Sequence, residues 1–202
     1  MKKLLIVLSI SWISSSFADQ TALNNFMNNA KTMKADFTQT VVSGKKSRTT
    51  TGTMEISRPN KFRWEYTKEQ QLIVSDAKMI YIYDKPLQQV TEQKLGNSID
   101  RSPAAVLAGA NNLTKIYKVS DIATHEDGLN WIKIEPKSTN ENNGFQTVIM
   151  GFDNTGKLSA MKFIDSFGNQ TNLKFSNLQT GVHIPDSEFQ FKVPTGVDVE
   201  VR

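Results

Sequence analysis

From Lys61 to Tyr66 the chain alternates strictly, with Phe62, Trp64 and Tyr66 on one face and Lys61, Arg63 and Glu65 on the other. A period of two predicts a half-buried strand. The same pattern, bounded by turn-forming residues, recurs along most of the chain. It predicts strands over 35–43, 48–57, 61–67, 71–75, 79–84, 87–93, 115–122, 129–135, 145–152, 157–165, 170–177 and 189–193. Between them stand Gly44-Lys45-Lys46, Ser75-Asp76-Ala77-Lys78, Asp84-Lys85-Pro86, Asp127-Gly128, Asn143-Gly144, Asn154-Thr155-Gly156 and Phe167-Gly168-Asn169. Short connections between many consecutive strands favour an antiparallel meander, and no alternation of strand and helix is present.

Two segments depart from this period. Leu23, Phe26, Met27, Ala30 and Met33 recur at three- and four-residue steps, with Asn24, Asn25, Asn28, Asn29 and Lys31 between them. They predict an amphipathic helix near the start of the mature chain. Its four asparagines are poor helix formers, so it depends on packing its apolar stripe. The second segment runs from Ser102 through Pro103, Ala104, Ala105, Val106, Leu107 and Ala108 to Gly109. Serine caps a helix well and proline suits its first turn. A helix with so little polar surface must lie on something apolar, or cover it.

The strand faces carry large or flexible apolar groups. Phe62, Trp64 and Tyr66 share one face; Met79, Tyr81 and Tyr83 share another, opposite Ile80 and Ile82. Met150 alternates with Phe152, Met161 with Phe163, and Phe189 with Phe191 and Val193. Two architectures fit this pattern. One is a sandwich or barrel filled by its own side chains. The other is an incomplete barrel with an apolar cavity, since more than about eight strands leave room for a ligand. Alternation alone does not say which faces are inside.

The first residues form an address label. Lys2 and Lys3 precede an apolar run from Leu4 to about Ile13, and Ser16-Phe17-Ala18 fits a signal-peptidase site. The run is shorter than the roughly 20 apolar residues of a membrane span. Residues 1–18 are therefore expected to be a cleaved signal peptide, and 19–202 one exported domain. The chain has no cysteine, which excludes disulfides, thiolate chemistry and a lipidated cysteine. Removing Lys2 and Lys3 from 24 basic residues leaves 22 against 20 acidic ones, a net charge of +2. That balance does not point to nucleic acid.

Catalytic patterns are missing. His125 and His183 are the two histidines, far apart in sequence, in a turn and a loop. There is no nucleophile elbow and no phosphate-binding glycine loop. Asp36, Asp76, Asp84, Asp100 and Asp165 offer carboxylates, but Asp76, Asp84 and Asp165 sit at strand ends or turns, where aspartate is common anyway. No metal set stands out, and an exported hydrolase is the least favoured class.

Phe37-Thr38-Gln39, Arg58-Pro59, Phe62-Arg63-Trp64-Glu65-Tyr66, Ser75-Asp76, Tyr83-Asp84, Leu87-Gln88-Gln89-Val90 and Pro194-Thr195-Gly196-Val197-Asp198 stand in a recognisable order. Over essentially the whole of 19–202 the chain resembles the LolA family, periplasmic carriers of outer-membrane lipoproteins. The block from Arg58 to Val90 is the most specific part. The resemblance implies a mainly β fold, an unclosed antiparallel β-barrel with an N-terminal helix and short lid helices over an apolar cavity. It implies a monomeric, non-enzymatic periplasmic chaperone without cofactor. Its cargo would be triacylated lipoproteins, taken from an inner-membrane LolCDE-type ABC transporter. They would be handed to an outer-membrane LolB-type receptor where one is present, with only transient contact at membrane surfaces. The alternative is an exported envelope sensor that binds acyl chains or glycolipids; such relatives usually carry an extra domain or a lipid anchor.

The same resemblance implies the site residues. By pattern alone Arg58 is a solvated surface arginine; in the family an arginine at this position latches the lid through backbone carbonyls. The lid would be the helix of Ala104, Ala105, Val106 and Leu107, with 111–113 nearby. Candidate cavity residues are Met27, Met33, Met54, Phe62, Trp64, Tyr66, Met79, Tyr81, Met150 and Met161. The methionines are unbranched and adaptable, which suits acyl chains of varied shape. One departure is visible: Asp76 is followed by Ala77 where the family commonly has glycine. Alanine tolerates positive φ poorly, so the hairpin there is expected to differ locally.

Overall fold

The computed structural model describes residues 18–95, 102–109, 117–137, 145–165 and 167–202. Of the expected signal peptide only Ala18 lies within them, and the segment 111–113 lies outside them. Helix α1 covers Ala18–Asn29 and helix α2 Pro103–Ala108. The strands are β1 (Thr32–Ser43), β2 (Lys46–Ser57), β3 (Lys61–Tyr66), β4 (Gln71–Asp76), β5 (Met79–Asp84) and β6 (Gln89–Lys94). They continue with β7 (Tyr117–Ile122), β8 (Asn130–Pro136), β9 (Thr147–Phe152), β10 (Leu158–Ile164), β11 (Gln170–Thr180) and β12 (Asp198–Val201).

All twelve belong to one sheet, in the order β12-β6-β5-β4-β3-β2-β1-β11-β10-β9-β8-β7. Its two ends are β12 and β7, so the sheet stays open. Every ladder is antiparallel except β6 with β12, where Val199 pairs with Val90 in parallel. The short turns between consecutive strands account for the meander. The two departures from sequential pairing are β1 with β11, which joins the halves, and β12 returning to β6.

Register sorts the alternating residues onto two faces. Phe62, Trp64 and Tyr66 pair with Ile56, Met54 and Gly52 on one side and with Ser75, Ile73 and Gln71 on the other. This is the inner face. Buried residues from β1, β2, β3, β5, β8, β9, β10 and β11 share one continuous cluster with both helices. Distant parts of one sheet meet in a single core only because the sheet curls. Leu23, Phe26, Met27 and Ala30 of the α1 segment and the five residues Ala104 to Ala108 of α2 are buried in that core. The exposed positions Asn24, Asn25, Asn28 and Asn29 face away, as the helical period predicts.

Gly52 has a specific reason. A Cβ there would stand 2.0 Å from the Glu65 carbonyl oxygen and 2.5 Å from Cζ of Phe37. The Phe37 ring lies over this strand position and stacks on Trp64 at 4.4 Å.

A second, smaller cluster sits on the outer face. Leu72, Val74, Tyr83 and Val90 are covered by Phe191, Val193 and Val197 of the C-terminal segment. Phe191 lies 5.3 Å from the Tyr81 ring and 5.8 Å from Tyr83. Lys61 Nζ pairs with Asp186 at 3.0 Å, which ties the start of this segment to β3.

Four expectations are corrected. Met33 does not extend the first helix: α1 ends at Asn29, and Met33 is buried from β1. Residues 189–193 are not a strand. A 3-10 turn covers Asp186–Phe189, and the last strand is Asp198–Val201. The apolar alternation there reports packing onto the sheet, not a ladder within it. Met79 and Tyr81 do not face the interior. They share the face of Tyr83, while Ile80 and Ile82 face the core. Finally, the turn at Asp76 keeps a glycine-like geometry despite Ala77, which adopts φ 77°. Asp76 Oδ1 accepts from the backbone N–H of Lys78 at 2.8 Å and of Met79 at 2.7 Å. The aspartate holds the turn and Ala77 bears the strain. Ala77→Gly is accordingly expected to stabilise the fold by about 1 kcal/mol. In a thermal melt that is a rise of roughly 2–4 °C; an unchanged or lower midpoint would contradict it.

Candidate functional site: a latched lid over an apolar interior

Arg58 follows directly on the end of β2, at the end of the sheet where both helices lie. Its backbone N–H donates to the Lys31 carbonyl at 2.8 Å. Its side chain reaches across the opening. Nε donates to the Leu107 carbonyl at 2.8 Å, and Nη1 to the carbonyls of Met27 at 2.9 Å and Phe26 at 3.3 Å. Nearby, the backbone N–H of Asn60 donates to the Ala108 carbonyl at 2.7 Å. One guanidinium therefore holds both helices to the sheet.

The acceptors explain why an arginine stands there. Leu107 and Ala108 end α2, and Phe26 and Met27 lie in the last turn of α1. The last carbonyls of a helix carry its negative end, and the Phe26 carbonyl, which already accepts from the Ala30 N–H at 3.0 Å, has a second lone pair to offer. A guanidinium offers five donors and no acceptor, so it suits a convergence of carbonyls. Its Cζ also lies 5.0 Å from the centre of the Phe26 ring. Burial lowers the Arg58 pKa to about 10, and the group remains charged at neutral pH. Nη2 is buried and has no hydrogen-bond partner among the described residues. The guanidinium thus makes three hydrogen bonds to main-chain carbonyls of the two helices.

The lid helix has its expected start. Ser102 Oγ accepts from the Ala105 N–H at 3.2 Å, and Pro103 occupies the first turn. Ala104, Ala105, Val106 and Leu107 all point into the core, with Leu107 fully buried.

Eight of the ten expected cavity residues belong to the inner side. Met33, Met54, Phe62 and Trp64 are buried from β1, β2 and β3, and Met150 and Met161 from β9 and β10. Met27 comes from α1, and Tyr66 is half-buried against the same core. In this arrangement the lid side chains fill the space between the walls. The remaining two, Met79 and Tyr81, lie outside, because one step in a strand reverses the face.

Sequence reasoning did not anticipate that α1 supplies two of the three carbonyls. Carbonyl positions carry no residue-type signal; only the helix ends hint at them. It also missed the polar closure at the far end of the barrel. There Tyr66 Oη donates to Gln39 Oε1 at 3.2 Å, Thr50 donates to Glu69, and Arg48 pairs with Glu69 at 3.2 Å. The Thr50 hydroxyl, with a smaller contribution from Arg48, holds the Glu69 carboxyl below the usual range. A depression of about 400 Å³ lies beside the end of α1, between Phe26, Asn29 and Ala30 and the Gly156–Leu158 turn. Among the described residues no group of three histidine or acidic side chains is placed to hold a metal.

An open, largely antiparallel sheet curled around an apolar interior that two helices cover is the architecture of a binding protein for apolar ligands. The outer membrane lipoprotein carrier protein family, LolA, matches residues 28–192. Outer-membrane lipoprotein carrier proteins from Dechloromonas aromatica and Methylococcus capsulatus are 42% and 39% identical to it. They align over 88% and 97% of this chain and 85% and 95% of their own. Solved structures at lower identity share the fold. An uncharacterised conserved protein from Thermus thermophilus superposes with TM-score 0.54 at 11% identity, covering 91% of this chain and 98% of its own. A DUF1329 family protein from Desulfovibrio piger does so at 0.52 and 10%, covering 85% and 95%. The chain belongs to the LolA family of outer-membrane lipoprotein carriers, which are periplasmic and non-enzymatic.

Proposed function

We propose that this protein carries triacylated lipoproteins across the periplasm with their acyl chains held inside the barrel, and that Arg58 is the latch of its lid. The observation that carries this reading is the single guanidinium bonded to carbonyls of both helices over an apolar interior. Three chains of about 15 methylenes would expose on the order of 36 kcal/mol of apolar surface, at ~0.8 kcal/mol per methylene. Spontaneous passage through water is negligible at that cost, so the chains must move directly from one protein to the next. The source is an inner-membrane LolCDE-type transporter and the destination a LolB-type receptor where one is present. The protein acts as a monomer after removal of residues 1–18.

Entry of acyl chains requires Leu107 and the apolar face of α1 to leave the interior. The methionines on the walls, Met33, Met54, Met150 and Met161, repack around chains of different shape. The depression beside α1 offers the cargo's polypeptide a way out along that helix. Incubation with spheroplasts tests the activity. Newly made lipoproteins are expected to appear in the soluble fraction with the protein. Release no greater than in a protein-free control would reject the proposal.

A further inference from the structure

Gly52 and Tyr66 are the last pair between β2 and β3 at the end away from the lid. There β3 turns back through 67–70, but β2 continues to Lys46 and pairs with β1 as far as Ser43. The β1–β2 hairpin therefore projects past its neighbour as an arm. On its other side β11 follows it down to the pair Val42 with Gln170. The β1–β2 and β10–β11 turns thus stand side by side at the tip of the arm. One presents exposed Lys45 and Lys46, the other Phe167, which is 90% exposed.

A lone exposed apolar residue needs no explanation in itself. Phe167 is different because its turn is held rigidly. Asp165 Oδ1 accepts from the N–H groups of Phe167 at 2.8 Å and Asn169 at 2.9 Å, and Oδ2 from Asn169 Nδ2 at 2.8 Å. The Gly168 N–H donates to the Asp165 carbonyl at 3.1 Å, with Gly168 at φ 80°. The carboxylate of this turn, Asp165, is thereby engaged within it. Further up the arm, Arg48 is paired with Glu69. Among the described residues of these two turns, the side chains that face outward include one aromatic ring on a held turn and two lysines.

We propose that this tip docks on an anionic lipid bilayer, with Phe167 entering the interfacial layer and Lys45 and Lys46 meeting headgroup charge. A protein partner would need a far larger contact area than one ring and two flexible cations provide. A bilayer surface accepts a single aromatic and dispersed positive charge, and it needs both for measurable binding. Weak, reversible attachment follows, and it would hold the carrier at a membrane while leaving the lid end free. The inference does not depend on the cargo reading.

The experiment is co-flotation of the exported protein with phosphatidylcholine vesicles, with and without phosphatidylglycerol at roughly 30%, in about 0.1 M salt. Partition onto the anionic vesicles is expected, and little onto the neutral ones. Phe167→Ser should lower it roughly tenfold. Lys45→Gln with Lys46→Gln should lower it by a similar factor or more, at about fivefold per lysine. Thermal midpoints should stay at the wild-type value, since Lys45, Lys46 and Phe167 are exposed. No partition by the wild type, equal partition onto neutral vesicles, or wild-type partition by either variant overturns the proposal. Lipoprotein release from spheroplasts, measured in parallel, reports on the carrier function separately.

Discussion

Arg58→Leu is expected to take up lipoprotein and fail to pass it on. The substitution removes three charge-assisted hydrogen bonds to the carbonyls of Phe26, Met27 and Leu107. Each is worth about 1.5–3 kcal/mol before the cost of burying the cation is returned. A net loss of about 3 kcal/mol from the closed form shifts the balance between closed and open by a factor of roughly 100. In the proposed mechanism the latch contributes only when the interior is empty of cargo, so its loss leaves the loaded form untouched. Closing no longer helps expel the chains, and transfer to receptor-bearing membranes should fall by at least about tenfold. Release from spheroplasts should persist. Arg58→Lys should fall between the two, because an ammonium is a point charge that cannot span two helices as a fork does. Hydrogen exchange in α2 reads the lid directly, with faster exchange expected in Arg58→Leu. Transfer at the wild-type rate would reject the latch.

Gly52→Ala is expected to destabilise the whole fold, though the change is one methyl group. The new Cβ would stand 2.0 Å from the backbone oxygen of Glu65 and within 2.8 Å of two atoms of the Phe37 ring. Backbone on one side cannot move without breaking the β2–β3 ladder. The ring on the other side stacks on Trp64 at 4.4 Å and meets Tyr66 edge-on at 5.4 Å. Relief must therefore disturb the centre of the inner face. Overpacking of this kind costs upwards of about 3 kcal/mol. In a domain of this size that lowers the melting midpoint by roughly 6–12 °C. A midpoint within a degree or two of the wild type would show that the barrel wall yields more easily than its packing implies.

These two positions differ in how legible they were. Arg58 precedes a proline at the mouth of an aromatic strand, and its pattern alone fits a solvated cation. Its motif context marked it, but its partners are main-chain oxygens from residues distant in sequence, 49 positions on at Leu107 and 32 back at Phe26. Gly52 sits among threonines with no turn signal. Its role comes from Phe37 on the neighbouring strand, which only the β1–β2 register brings over it.

The strand series, the two apolar helices and the shape of most turns follow from local chemistry. Period-two alternation, glycine and aspartate at turns, and Ser102-Pro103 at a helix start act within a few residues, and they hold in the structure almost throughout. Asp76 even preserved a turn in which Ala77 is strained. The choice of inner and outer faces is of another kind. Met79, Tyr81 and Tyr83 are as apolar as Phe62, Trp64 and Tyr66, yet the first set faces the C-terminal segment or lies on that side. Both sides of β4 and β5 are partly covered, so hydrophobicity cannot rank them. The same holds for Phe189 to Val193, which alternate as a strand would but serve as a cover. By itself the sequence determined that this chain makes a curled meander with two apolar helices to place. Only the tertiary structure decided which face encloses the interior, because that depends on which distant segment arrives to cover each side.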